Sequence, residues 1–182
     1  HYSSRRQRQM CIRDRPDYVL VPVGGGGLIS GLGTYFKETS PDTKVVGVEP
    51  EGAASMAAAF AAGEAVELSS IEKFVDGAAV KRVGDMNYQV AKAVSSKMVA
   101  VPEGKVCEEM IALYQTDGIV TEPAGALSVA ALSLVKDEIK GKKVVCVVSG
   151  GNNDISRYAE IMDRALMYLS LIHISEPTRQ AS

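Results

Sequence analysis

The chain has 182 residues, 46% hydrophobic and 23% charged, with no Trp and a formal net charge of −2. That length supports one domain with its own core, and no apolar run approaches the roughly 20 residues that a membrane helix needs. Met10 is followed by polar and charged residues, unlike a signal peptide, and Cys11, Cys107 and Cys146 lack ligand spacing, which favours reduced thiols over a disulfide framework or a zinc site.

Residues 1–15 and 169–182 stand apart from what lies between them. The first stretch holds RRQRQMCIRDR, a basic run with no helical or strand period, and the second holds LSLIHISEPTR. MCIRD can be written ATG TGT ATA AGA GAC. The reverse complement of ATGTGTATAAGAGACAG opens with codons for LSLIH. Both ends therefore read as one DNA element translated on opposite strands, and that element resembles a transposon-type sequencing adaptor. Such tails are set aside before fold reasoning. Without them, 14 basic residues face 20 acidic ones, and the body (residues 16–168) carries −6. That charge gives no attraction to a nucleic-acid backbone. His1 and His173 both lie in the tails, so Ser-His or Cys-His catalysis and His-ligated metals are excluded within the body.

Along the body, strand and helix signals alternate. Residues 18–23 (YVLVPV) read as a buried strand that stops at glycines. Ile29, Leu32 and Phe36 fall at helical spacing over residues 28–37, and residues 44–48 (KVVGV) form the next strand. The Ala-rich residues 53–62 read as a helix stopped by Gly63. Helices over residues 84–96 and 103–117 flank a strand at 97–101. Pro102 and Glu103 open the second of these helices, and Gly118 closes it. Thr121, Glu122 and Pro123 start another helix, with Leu127, Ala130, Ala131, Leu134 and Val135 on one apolar stripe. Residues 143–148 (KVVCVV) read as a last buried strand, where Cys146 is core. This order predicts an α/β fold, an open and mostly parallel sheet with helices on both faces.

In such sheets ligands bind beyond the carboxyl ends of the strands. Two glycine turns lie there: Gly24, Gly25, Gly26 and Gly27 after the first strand, and Ser149, Gly150 and Gly151 after the last. Consecutive glycines cost backbone entropy, but they let several N–H groups converge just before a helix N-terminus, a geometry suited to phosphate. A dinucleotide is the main rival, because Glu49 stands about twenty residues on, where a ribose-binding acid would lie. The spacing rejects it: G-x-G-x-x-G begun at Gly24 or Gly25 puts Ile29 or Ser30 at the third glycine. No Gly-Lys-Ser/Thr follows, so a P-loop is rejected too. Ser149 taken alone reads as a turn hydroxyl capping nearby backbone.

Residues 21–31 (VPVGGGGLISG), 47–53 (GVEPEGA), 76–85 (DGAAVKRVGD), 121–126 (TEPAGA) and 149–154 (SGGNND) together resemble the threonine dehydratase (threonine ammonia-lyase) family. These are pyridoxal 5'-phosphate (PLP) enzymes of the tryptophan-synthase-β-like fold. The resemblance covers the whole body, and residues 157–168 (RYAEIMDRALMY) look like the biosynthetic, isoleucine-pathway branch, which continues into a regulatory domain. It implies that Gly24, Gly25, Gly26, Gly27 and Leu28 bind the cofactor phosphate through backbone N–H groups and that Ser149 hydrogen-bonds the pyridine nitrogen. Glu122 is left with two readings, near the ring or in a capping or structural role. Glu49 and the Ala53 carbonyl match a divalent-cation site of the related serine racemases. Ser55 replaces a carboxylate of that site, so no metal is expected.

The family's Schiff-base lysine sits in an S-x-K-x-R-G motif upstream of the tetraglycine loop. No lysine here has that context, and the first body lysine, Lys37, lies past the loop. The resemblance thus implies a parent enzyme that deaminates L-threonine to 2-oxobutanoate and ammonia, cytoplasmic and homo-oligomeric (a dimer or tetramer). It acts on a small amino acid and has no nucleic-acid or membrane partner. The chain itself is expected to carry no catalytic residue and to be inactive. A serine racemase or serine dehydratase of the same fold is the alternative enzyme. A non-catalytic nucleotide-binding module is the alternative of another class, and a regulatory fragment pairing with a full-length subunit is a third.

Overall fold

The computed structural model describes residues 15–171. The tail readings at residues 1–14 and 172–182 lie outside them. Four parallel strands form one sheet in the order β3-β2-β1-β4, with β1 at Tyr18–Pro22, β2 at Lys44–Pro50, β3 at Lys97–Val101 and β4 at Val144–Cys146. The central strand β1 is a continuous apolar run, and β2 is buried from Val45 onward, because both are covered on both faces. Period-2 alternation divides their side chains: Tyr18, Leu20, Val46 and Val48 enter one core, while Val19, Val21, Val23 and Val45 enter the other.

Helices cover each face, as the sequence predicts. Helices α1 (Gly27–Thr39), α2 (Ser55–Ala62) and α3 (Asp85–Val94) bring Ile29, Met56, Ala59, Tyr88 and Ala91 onto one face. The other face takes α4 (Glu103–Ala112), α5 (Pro123–Ala130), α6 (Leu132–Ile139) and α7 (Tyr158–Tyr168), through Val106, Met110, Leu127, Val135 and Ile161. Full burial of a side chain such as Leu20 or Ile29 is worth about 1.5–3 kcal/mol.

Three expectations needed revision. The helix expected over residues 103–117 is α-helical only to Ala112. Leu113–Asp117 form a wider π turn, closed by Gly118 at φ 65°, whose N–H reaches the carbonyls of Leu113 and Tyr114. The helix begun at Pro123 breaks at Ala131, where the Leu134 N–H bonds back three residues to the Ala131 carbonyl. That tighter turn changes the helical phase, so Val135 stays buried while Leu134, expected on the apolar stripe, is 48% exposed. The strand expected to be buried over residues 143–148 is only Val144–Cys146 and half-buried. It pairs with β1 alone among the described residues, and an edge strand has one flank without a neighbour.

Residues 64–84 contain no α-helix or strand, yet they are anchored. Phe74 is buried beneath the guanidinium groups of Arg157 and Arg164, 5.1 and 4.2 Å from its ring centre. Arg157 also donates to the Phe74 carbonyl at 2.7 Å. This anchoring carries Gly77 and Ala78 up against the backbone of Gly24, where a Cβ on Gly24 would meet the Ala78 Cα at 3.1 Å.

Candidate functional site

Strand order reverses at β1. The chain runs outward from β1 through β2 to β3, then returns to place β4 on the other flank of β1. Tyr18 pairs with Val144 and Leu20 with Cys146, so the turns that follow β1 and β4 emerge side by side. A crevice at such a reversal, beyond the carboxyl ends of the strands, is where open α/β sheets place ligands. A cleft of about 310 Å³ lies there, lined by Pro22, Gly24, Gly25, Gly26, Gly27, Leu28, Gly77, Ala78, Glu122, Ala124 and Ser149. All six residues expected to bind a cofactor therefore share one cleft.

At one end of the cleft, α1 begins at Gly27 with Gly26 as its N-cap. The first N–H groups of a helix have no intrahelical partner. Here no side chain caps them and no acidic residue stands in the first turn. An anion is the natural complement of those donors and of the helix dipole. Gly26 adopts φ +91°, and a Cβ there would meet Met56 Cε at 2.7 Å and Asn87 Cβ at 3.0 Å. Both conformation and packing demand glycine at this position. At Gly25 and Gly27 a Cβ would project into open space, so the cradle is formed and accessible. The residues present thus fit a phosphate at this end.

Ser149 and Glu122 also line the cleft. Glu122 occupies the N-cap position of α5, but its side chain makes no capping hydrogen bond. Its carboxylate lies instead against Gly150, with Oε1 2.2 Å from where a Gly150 Cβ would stand, while its backbone N–H donates to the Gly150 carbonyl at 3.1 Å. The carboxylate thus packs on the turn after β4 instead of capping α5, and Glu122 lines the cleft. Ser149, an exposed residue, shares that lining.

Glu49 serves a different purpose from the ribose contact of the rival reading. It is completely buried, and its two oxygens accept from the Met56 and Ala57 N–H groups at 2.7 and 2.8 Å, capping α2 from β2. Burial pushes its carboxyl up to about 7, against the downward pull of the two backbone donors. Ser55 Oγ, buried at the start of α2, has no hydrogen-bond partner. Among the described residues no three His, Cys, Asp or Glu side chains cluster as metal ligands. Cys107 is buried, whereas Cys146, expected in the core, is half-buried at its edge; burial pushes the ionisation of these free thiols up to about 12 and about 11.

The sequence reading gave no role to Gly77, Ala78 or Ala124, which complete the cleft wall, or to Asn87. The Asn87 Nδ2 donates to the Gly25 carbonyl at 2.8 Å across 62 positions of chain. No local pattern marks such a contact.

A parallel α/β sheet with an uncapped glycine turn and a second strand end meeting at its reversal is an arrangement that fits a phosphorylated small molecule. The chain belongs to the pyridoxal-phosphate dependent enzyme family, whose model matches residues 7–150. It is 54% identical over 162 residues to the biosynthetic L-threonine dehydratase of Halalkalibacterium halodurans, covering 89% of this chain and 39% of that protein. The fold is similar to the processed form of threonine deaminase isoform 2 from Solanum lycopersicum, with a TM-score of 0.81 and 34% identity over 89% of this chain and 47% of that one. It is also similar to maize serine racemase, with a TM-score of 0.76 and 28% identity over 87% of this chain and 50% of that one. The chain thus spans about two fifths of the length of the curated relative and half or less of each solved structure.

Proposed function

We propose that this segment is the phosphate- and ring-binding wall of a PLP enzyme that deaminates L-threonine to 2-oxobutanoate and ammonia in isoleucine biosynthesis. One observation carries the reading: Gly24, Gly25, Gly26, Gly27 and Leu28 share a single cleft with Ser149 at the reversal of strand order. When bound, the cofactor supplies an electron sink for the charge left as the substrate Cα proton departs. The backbone N–H groups of the glycine turn and Leu28 hold the phosphate. Ser149 offers the pyridine nitrogen a neutral hydroxyl, which does not hold it protonated. That partner would leave the cofactor less electron-withdrawing, which would suit the site to β-elimination.

Among the described residues no lysine lines the cleft, and no lysine in the sequence has the context in which the family keeps its Schiff-base group. The chain alone is therefore expected to be inactive. Incubating it with PLP and threonine should give no 2-oxobutanoate above a protein-free control, and catalytic turnover would overturn that expectation. Similarity to maize serine racemase favours one second reading, the same elimination or a racemisation on serine. Assaying the complete protein with both amino acids decides it: a higher kcat/KM for serine overturns the threonine assignment. In this proposal the complete enzyme is a cytoplasmic homo-oligomer, a dimer or tetramer. It is without nucleic-acid or membrane partners, and no helix among the described residues is long and apolar enough to cross a membrane.

The adaptor reading of residues 1–15 and 169–182 likewise stands as a proposal; the family match begins at residue 7, inside the first of these stretches. Genomic sequence across both junctions tests it. Continuity of RRQRQMCIRDR or LSLIHISEPTR with native coding DNA would overturn it.

A further inference from the structure

We propose that Asn87 is a positioning residue for the anion cradle: from outside the cleft it grips the Gly25 carbonyl and thereby aims the Gly26 N–H inward. This rests on the reading of Gly24–Gly27 as the phosphate-binding turn. The Asn87 Nδ2 donates to the Gly25 carbonyl at 2.8 Å, and Asn87 is not part of the cleft lining. A trans peptide is planar, with its C=O and N–H pointing in opposite directions. Fixing the Gly25 carbonyl toward Asn87 therefore fixes the N–H of Gly26 away from it.

The grip is itself held in place. Ser30 Oγ, one turn into α1, donates to the Asn87 backbone carbonyl at 3.2 Å. The two hydrogen bonds run in opposite directions between α1 with its glycine turn and α3. Gly26 is also wedged between Met56 and Asn87, with no room for a Cβ. Four glycines in a row have much backbone freedom to lose, and without side chains of their own they admit more than one orientation of the Gly25–Gly26 peptide. The side-chain amide supplies that selection. Only the Nδ2 end of the amide can face a carbonyl, so a carboxylate of identical shape cannot replace it.

The test uses the whole 182-residue chain, labelled with 15N, and titrates inorganic phosphate and pyridoxine 5'-phosphate. In the wild type both ligands are expected to shift the amide signals of residues 24–28. Asn87→Leu keeps the volume and removes the donor. It should weaken both ligands about tenfold, the equivalent of one neutral hydrogen bond, and move the Gly26 signal before any ligand is added. Asn87→Asp should weaken them further, because it sets an acceptor against an acceptor and adds charge. Asn87→His, whose Nδ1–H stands at a comparable distance along the side chain, should recover part of the affinity.

Unchanged affinity in Asn87→Leu and Asn87→Asp, with wild-type binding intact, overturns the role of Asn87 alone. Absence of any wild-type shift overturns the cradle reading and this proposal with it. A wild-type measurement stands in where a variant does not fold. The Asn87 side-chain amide protons should exchange slowly and shift when phosphate binds, and free exchange with no shift overturns the proposal.

Discussion

Glu49 is a carboxyl group with no exposed surface, held by two N–H groups at the start of α2. Desolvation disfavours its charged form, the backbone donors favour it, and burial is the larger effect. The folded chain therefore binds this proton more tightly than the unfolded chain, at about 7 against an ordinary 4.5. The stabilising contribution is complete below the unfolded value and is lost as pH rises through the folded one. We expect the urea-unfolding free energy to decline by about 3 kcal/mol from this group between acid and mildly alkaline pH. Glu49→Gln, neutral throughout, should flatten that slope, and equal slopes in the two proteins would refute the assignment. The sequence showed Glu49 as an acid at a strand end but not which way it pointed. Gly26 was legible because glycine is itself the signal of an unusual backbone. Asn87 was not: its partner lies 62 positions away, and Asn inside a helix has no periodic signature.

Elements were legible where one physical cause dominated. Strand β3 was read at its observed limits, and Gly63 ends α2 at φ 82° as its type suggests. Errors arose where tertiary packing changed a local rule. The apolar stripe after Pro123 assumed an unbroken helix, but past the turn at Ala131 Leu134 faces outward, while Leu127, before it, lies in the core. Substituting the two leucines separates these readings. Leu127→Ala should cost about 2–5 kcal/mol, as cavity-forming core changes do. Leu134→Ser should stay within about 0.5 kcal/mol, as exposed positions do. Chemical denaturation of both variants measures the difference, and a comparable loss for Leu134→Ser would restore the unbroken helix. The length of β4 was misread for a related reason, since a run of β-branched residues does not reveal whether a neighbouring strand lies on each side.

At the scale of the whole molecule, the parallel order of strands and helices was visible in the alternation of apolar runs, whereas the order of strands in space was not. That order brings residue 24 beside residue 149 and closes the cleft with Gly77, Ala78 and Glu122 from two further segments. A site assembled from four distant stretches does not exist in the unfolded chain. A ligand that fills it must therefore stabilise the fold by linkage, about 2.7 kcal/mol at a hundredfold excess over its dissociation constant. For a chain of this size that corresponds to a rise of roughly 5–10 °C in the unfolding midpoint. Pyridoxine 5'-phosphate is the suitable probe, because without an aldehyde it forms no adducts with surface lysines. It should raise the midpoint, pyridoxine lacking the phosphate should raise it less, and NAD at the same concentration should leave it unchanged. The ranking follows from the cleft itself: its donors are backbone N–H groups at one end, and the acid that a ribose would need is buried beneath α2. An equal or larger shift with NAD would reverse the ligand assignment and make the chain a nucleotide-binding module.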